Sequence, residues 1–204
     1  MLIDKGGYYM DRAELKSLAK EQIKGHILIL FLITLVVAIV STVVASIPVV
    51  GSIAAALVVY PVFSISMVII YLNLTQYMTP EIGELFAHFN KFWAAFKVTF
   101  FTGLFTALWS LLFVIPGIIK AYSYSMAMYI LAENPDIGAL EAINRSKAMM
   151  DGHKMELFVL NLSFIGWYLL CAVTLGIAGI WVVPYVSATT ANFYNSIKNN
   201  VTVE

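Results

Sequence analysis

Lys120 is the one ionisable side chain set inside the apolar stretches of this chain. A charge there is costly in lipid, so such a group is by default a functional candidate. Tyr122, Tyr124 and, further along, Asn161 could join it. An ammonium, two phenols and an amide would line a cavity for a lipophilic or cationic solute, or contact the polar groups of a lipid. A plainer account competes. Lys120 follows Pro116-Gly117 by about one turn, so its stem can reach back and leave the charge among the headgroups. Hydroxyl and amide side chains in apolar helices commonly bond a neighbouring helix or their own backbone.

Other chemistry finds little support in the spacing of residues. There is no His-Glu-x-x-His, no glycine loop with lysine to cradle phosphate, and no Gly-x-Ser-x-Gly elbow. His26, His88 and His153 lack the spacing and the flanking acids of a metal site, and read as solvated interfacial residues. The one cysteine, Cys171, can form neither an internal disulfide nor a thiolate cluster. Glu133, Asp136, Asp151 and Glu156 stand at helix starts, where capping explains them. The basic residues form no stripe for nucleic acid. The expectation is a protein with no catalytic residues, metal or cofactor, and no nucleic-acid partner.

The elements that must position these residues follow from composition. With 61% hydrophobic and 12% charged residues, a chain of 204 has too little polar surface to cover a soluble globule. It reads as an integral membrane protein. The apolar run 25–47 would span about 34 Å as a helix, enough for a hydrocarbon core of roughly 30 Å, and is too long for an ordinary signal core. Six such runs stand out, at 25–47, 52–73, 97–115, 118–133, 155–175 and 179–195. They pair into three hairpins through uncharged reversals marked by Pro48 and Gly51, by Pro116 and Gly117, and by Gly179. The fourth run is short, and the sixth is diluted by Ser187, Thr189, Thr190, Asn192 and Asn195, so either could be re-entrant. Every Lys and Arg except Lys120 lies in the N-terminal segment, the two longer connections or the C-terminal tail, which places both termini in the cytoplasm.

Each hairpin is preceded by an amphipathic stretch. Asp11 and Glu14 form a capping-box pattern ahead of a face of Leu15, Leu18, Ala19, Gln22 and Ile23. Ile82, Leu85, Phe86, Phe89, Trp93 and Phe96 keep helical spacing in the second, and Leu140, Ile143 and Met150 mark a weaker third. The segment Thr79-Pro80-Glu81-Ile82-Gly83-Glu84-Leu85 returns as Asn134-Pro135-Asp136-Ile137-Gly138-Ala139-Leu140, with four identities in seven. In both, a capping residue and a proline suggest a helix start at the proline. Lys24-Gly25-His26 is echoed, more weakly, by Asp151-Gly152-His153. We read one membrane domain, 1–204, of all-α class: about six transmembrane helices as three hairpins, each led by an interfacial helix. The repeat units are about 11–73, 79–133 and 134–197. Phe86, Phe89 and Trp93 would give the resulting cytoplasmic collar its exposed apolar contacts.

The run from Ile115 to Met126 (Ile-Pro-Gly-Ile-Ile-Lys-Ala-Tyr-Ser-Tyr-Ser-Met), together with Leu131-Ala132-Glu133-Asn134-Pro135, Ser146 to Gly152, Leu162 to Trp167, and Pro184-Tyr185, resembles the bacterial integral-membrane family catalogued as domain of unknown function 975. The wider group resembles the membrane domain attached to some glycerophosphodiester phosphodiesterases, although no catalytic domain stands beside this chain. The resemblance implies a multi-pass protein, mostly of Gram-positive bacteria, and carries over no functional residue. The first expectation is a non-enzymatic protein of the bacterial cytoplasmic membrane and cell envelope. It would bind membrane lipids, a membrane-protein partner or a second copy of itself through the collar. The alternative is a small transporter or channel for a lipophilic or cationic solute.

Overall fold

The computed structural model describes residues 11–47 and 51–198. Among them every regular element is helical. In chain order these are α1 (Arg12–Ile23), α2 (Ile27–Ala45), α3 (Gly51–Ala54), α4 (Tyr60–Thr75), α5 (Glu84–Ala87), α6 (Phe92–Leu112), α7 (Val114–Tyr124), α8 (Ala127–Glu133), α9 (Ala139–Met149), α10 (Lys154–Leu162), α11 (Ile165–Val173) and α12 (Gly179–Lys198). A π-turn (Ala55–Val59) joins α3 to α4, and a 3-10 turn (Phe89–Lys91) leads into α6. Five stretches are long and apolar enough to cross a membrane: Ile27–Ala45, Leu57–Thr75, Phe89–Leu112, Val114–Glu133 and Lys154–Val173. The sixth run forms the 20-residue α12, whose hydroxyl and amide residues leave it outside this set.

Local chemistry explains where the helices begin and break. Asp11 caps α1 through its carboxylate, and Leu15, Ala19, Gln22 and Ile23 form its buried face, while Leu18, expected on the same face, is only partly buried. The two proline heptads behave alike but differently from expectation, since each helix starts four residues after its proline, at Glu84 and at Ala139. Asn134-Pro135-Asp136-Ile137 closes a turn through Ile137 N–H to Asn134 O (3.3 Å). A proline with its φ preset suits the second position of such a turn. The continuous amphipathic helix expected through Phe86, Phe89 and Trp93 is divided at His88, whose Nδ1 lies 3.1 Å from Glu84 O. The α6–α7 reversal falls at the extended Phe113 (φ −155°, ψ 140°), before Pro116-Gly117. Pro116 instead sits in the first turn of α7, where a missing N–H breaks no helical bond. Gly117 packs against Ser110, and a Cβ there would stand 2.8 Å from Ser110 Cα, so glycine sets the close approach of α6 and α7. Gly51 opens α3 against Ile47, Gly179 opens α12, and Pro48 lies outside the described residues.

The interior is organised around α4, with α8 and α12 packed on it. Tyr71, Tyr129 and Tyr194 each stand four residues before the end of α4, α8 and α12. Tyr129 stacks on Tyr194 at 5.2 Å, and the Tyr194 hydroxyl donates to Glu133 Oε2 (2.8 Å), whose other oxygen accepts from Lys198 (2.7 Å). Around these helices the amphipathic segments pack in order: α5 on α4, α9 on α8 and α6 with a lesser contact to α7, and α1 on α12. Polar bonds fasten each of them. Ser66 donates to Leu85 O (3.0 Å). The buried Ser146 hydroxyl donates to Ser123 O (2.8 Å) and accepts from Met126 N–H (3.2 Å), bridging the break between α7 and α8. Gln22 and Asn192 exchange two amide bonds (3.1 and 2.7 Å) in the buried α1–α12 contact.

The three histidines occupy similar places. His26 (φ −111°, ψ 3°), His88 (−108°, 17°) and His153 (−102°, −4°) each stand between an amphipathic segment and the more apolar stretch after it. Gly25 and Gly152, ahead of the first and third, have φ of 87° and 82°, a left-handed backbone that glycine adopts without a Cβ penalty.

Candidate functional site

Hydroxyls gather on one face of α6. Thr99, Thr102, Thr106 and Ser110 recur at helical spacing, with Gly103 and Ala107 between them. That face, with Tyr60, Ser64 and Val68 of α4 and Ala121, Tyr124, Ser125 and Met128 at α7–α8, lines a groove of about 590 Å³. Small residues make the space, because Gly103 has no side chain and a Cβ placed on it meets nothing within 4 Å. From Val98 to Ser110 the groove follows α6 for about 18 Å. Val68, Val98 and Met128 add apolar side chains to the lining.

The polar lining is neutral. Ser64, Thr102 and Ser125 donate to carbonyls of their own helices, at Pro61 (2.9 Å), Val98 (2.8 Å) and Tyr122 (2.8 Å). Their oxygens keep lone pairs that can accept from a guest. No carboxylate or imidazole lines the groove to activate a hydroxyl. On the other side of Gly103 lies a second recess of about 320 Å³, lined by Leu57, Pro61, Phe96, Phe100 and Leu104 and sharing Thr99, Gly103 and Ala107 with the first. A hydroxyl-lined space and an apolar space thus share one wall. This pair can hold, by hydrogen bonds on one side and dispersion on the other, a molecule that is polar at one part and apolar at the next.

The residues singled out from sequence fall into separate places. Tyr124 lines the groove. Tyr122 points to the other side of α7, where its hydroxyl accepts from Asn161 Nδ2 (3.4 Å) and its ring meets Phe158 edge-on. Lys120 lies six residues past Val114, about 9 Å along α7 and deeper than a turn at Pro116-Gly117 would put it. Its ammonium sits 4.8 Å from the centre of the Trp109 ring. The four are not gathered around one cavity. Phe86 and Phe89 stack at 6.0 Å over the edge of the buried Phe63, and both are about half exposed (49%). Trp93 belongs to α6 and is 67% exposed. Thr99, Thr102, Thr106 and Ser110 carry the signal that inspection of single polar residues passes over, namely hydroxyls at helical period inside an apolar run.

Among the described residues the fold is helical, with five helices long and apolar enough to cross a membrane and a hydroxyl-lined groove between α4, α6 and α7. The chain belongs to the family described as "Protein of unknown function (DUF975)", which matches residues 10–123 and 111–201. Neither a curated protein nor a solved structure matches it, so the distant likeness to the glycerophosphodiester phosphodiesterase membrane domain gains no support.

Proposed function

We propose that this protein is a non-enzymatic, multi-pass protein of the bacterial cytoplasmic membrane that holds an amphiphile of the bilayer in the groove between α4, α6 and α7. The observation that carries the reading is the shared wall. An ester or hydroxyl of the guest meets Thr99, Thr106 and Ser110, while its chain lies in the recess of Leu57, Phe96 and Phe100. Holding is favoured over passage because the groove is lined by neutral hydroxyls and apolar side chains, with no charged group to carry an ion along it. The exposed pair Phe86–Phe89, with Trp93, serves in this account as an interfacial anchor and as the face offered to a membrane-protein partner or to a second copy.

The architecture proposed with it is three hairpins with both termini cytoplasmic. In it each unit's amphipathic helix clasps the returning helix of the unit before it, and α1 closes the ring on α12. The two left-handed glycines, the three junction histidines and the three tyrosines four residues from their helix ends support duplication of one unit.

Gly103→Leu tests the groove, since the added side chain enters open space. The purified protein is analysed by native mass spectrometry for retained lipid. The variant is expected to lose a lipid that the parent retains, with Tm unchanged. An identical lipid complement at equal Tm overturns the reading.

A further inference from the structure

Arg12, Lys16 and Lys20 stand four residues apart along α1, so they form one row on its surface. None of the three is in the ion pairs found among the described residues, which join Arg145 to Glu141, His153 to Glu156, Lys154 to Asp151 and Lys198 to Glu133. Like charges at this spacing repel. Burial first, then the charges of Lys20 and Arg12, hold the Lys16 ammonium below the ordinary lysine range. The row is nevertheless fixed in place. Lys16 Nζ donates to Ser163 O (3.3 Å), a carbonyl at the C-terminal end of α10 where a cation is favoured, and lies 4.2 Å from the centre of the Phe164 ring. Lys20 Nζ lies 5.5 Å from the centre of the Tyr185 ring.

Lys16 is thus seated at the break between α10 and α11, inside a stretch apolar enough to cross a membrane, and Lys20 lies against Tyr185 of α12, whose ring meets Phe164 of that break edge-on at 5.2 Å. One bond to Ser163 leaves two of the three Lys16 donors unused by that contact, and among the described residues Lys20 makes a ring contact with Tyr185. Beside them stand Trp167, packed edge-on to Tyr185 and 40% exposed, and Ile165, 56% exposed. A tryptophan of this kind favours the ester level of a bilayer, and the isoleucine favours its chains.

We propose that Lys16 and Lys20 bind the phosphate of an anionic phospholipid at the α10–α11 break, with Trp167 and Ile165 against its ester region and chains. This site lies apart from the α4–α6–α7 groove and does not rest on that reading. The test titrates phosphatidylglycerol into the purified full chain and counts bound lipid by native mass spectrometry, with phosphatidylcholine and inorganic phosphate as the other probes. Replacing both lysines (Lys16→Gln with Lys20→Gln) is expected to weaken phosphatidylglycerol binding roughly fivefold per lysine, about 25-fold together. Lys16→Arg with Lys20→Arg should keep it, which separates lost charge from lost folding. Lys154→Gln should leave it unchanged. Equal binding by the double glutamine variant, or equal affinity for phosphatidylcholine, overturns the proposal. Competition by inorganic phosphate at the affinity of the lipid also overturns it, by assigning the site to a soluble anion.

Discussion

Replacing Gln22 with leucine should uncouple α1 from α12, at a cost set by what it leaves behind. The Gln22 and Asn192 side chains are each 5% exposed and satisfy one another through two hydrogen bonds. Gln22→Leu keeps most of the volume but strands one donor and one acceptor of Asn192, and each stranded buried group costs about 1–3 kcal/mol. Allowing for the apolar burial that leucine adds, the net cost is about 3 kcal/mol, which in a chain of this size lowers Tm by roughly 6–12 °C. Asn192→Leu should cost a similar amount. The double variant strands nothing and should recover most of the loss, so the cycle returns a favourable coupling of a few kcal/mol. Thermal unfolding in detergent, followed by the fluorescence of the four tryptophans, measures all three. Single variants that melt with the parent, or a double variant that loses the sum of both, would refute the docking of α1 on α12 and return α1 to a helix lying loose in the interface.

Three further outcomes follow from packing. Ser146→Ala strands Ser123 O and Met126 N–H at the α7–α8 break, and should cost about 2–4 kcal/mol, read as a lower Tm and faster proteolysis between α8 and α9. Tyr71→Phe should be neutral or raise Tm by a few degrees, because the buried Tyr71 hydroxyl makes no well-formed hydrogen bond among the described residues; a marked loss would mean that the hydroxyl is bonded. Gly117→Val drives side-chain atoms into Ser110 and should cost about 1–3 kcal/mol, whereas Gly138→Ala, with nothing within 4 Å, should stay within about 0.5 kcal/mol, both judged by thermal unfolding.

The helical class and most of the apolar helices are legible because hydrophobic run length against a bilayer is a strong constraint. The buried face of α1 is legible too, since Leu15, Ala19 and Ile23 keep helical period. Helix starts are less so. Proline fits a turn as well as a first helical position, and tertiary contacts decided for a turn at Pro135 and for the first turn of a helix at Pro116. The amphipathic faces of α1 and α9 predict burial against something apolar, and lipid and protein look the same to that pattern. Only the bonds of Gln22 to Asn192 and of Ser146 to Ser123, across 170 and 23 residues, show that protein covers them. The groove was concealed for a different reason. A threonine in an apolar helix is ordinarily bonded to its own backbone, as Thr102 is. What distinguishes this face is the space left by Gly103 and Ala107, and that depends on where α4 sits.

Photocrosslinking with a diazirine-bearing lipid incorporated in the native membrane, followed by peptide mapping, tests most directly the proposal that the groove holds a lipid. The account predicts adducts that survive detergent extraction and concentrate on 98–110 and 121–128 rather than on the lipid-exposed face of α2, and that disappear with Gly103→Leu. Adducts spread evenly over α2, α6 and α11 and unchanged by that substitution would contradict it.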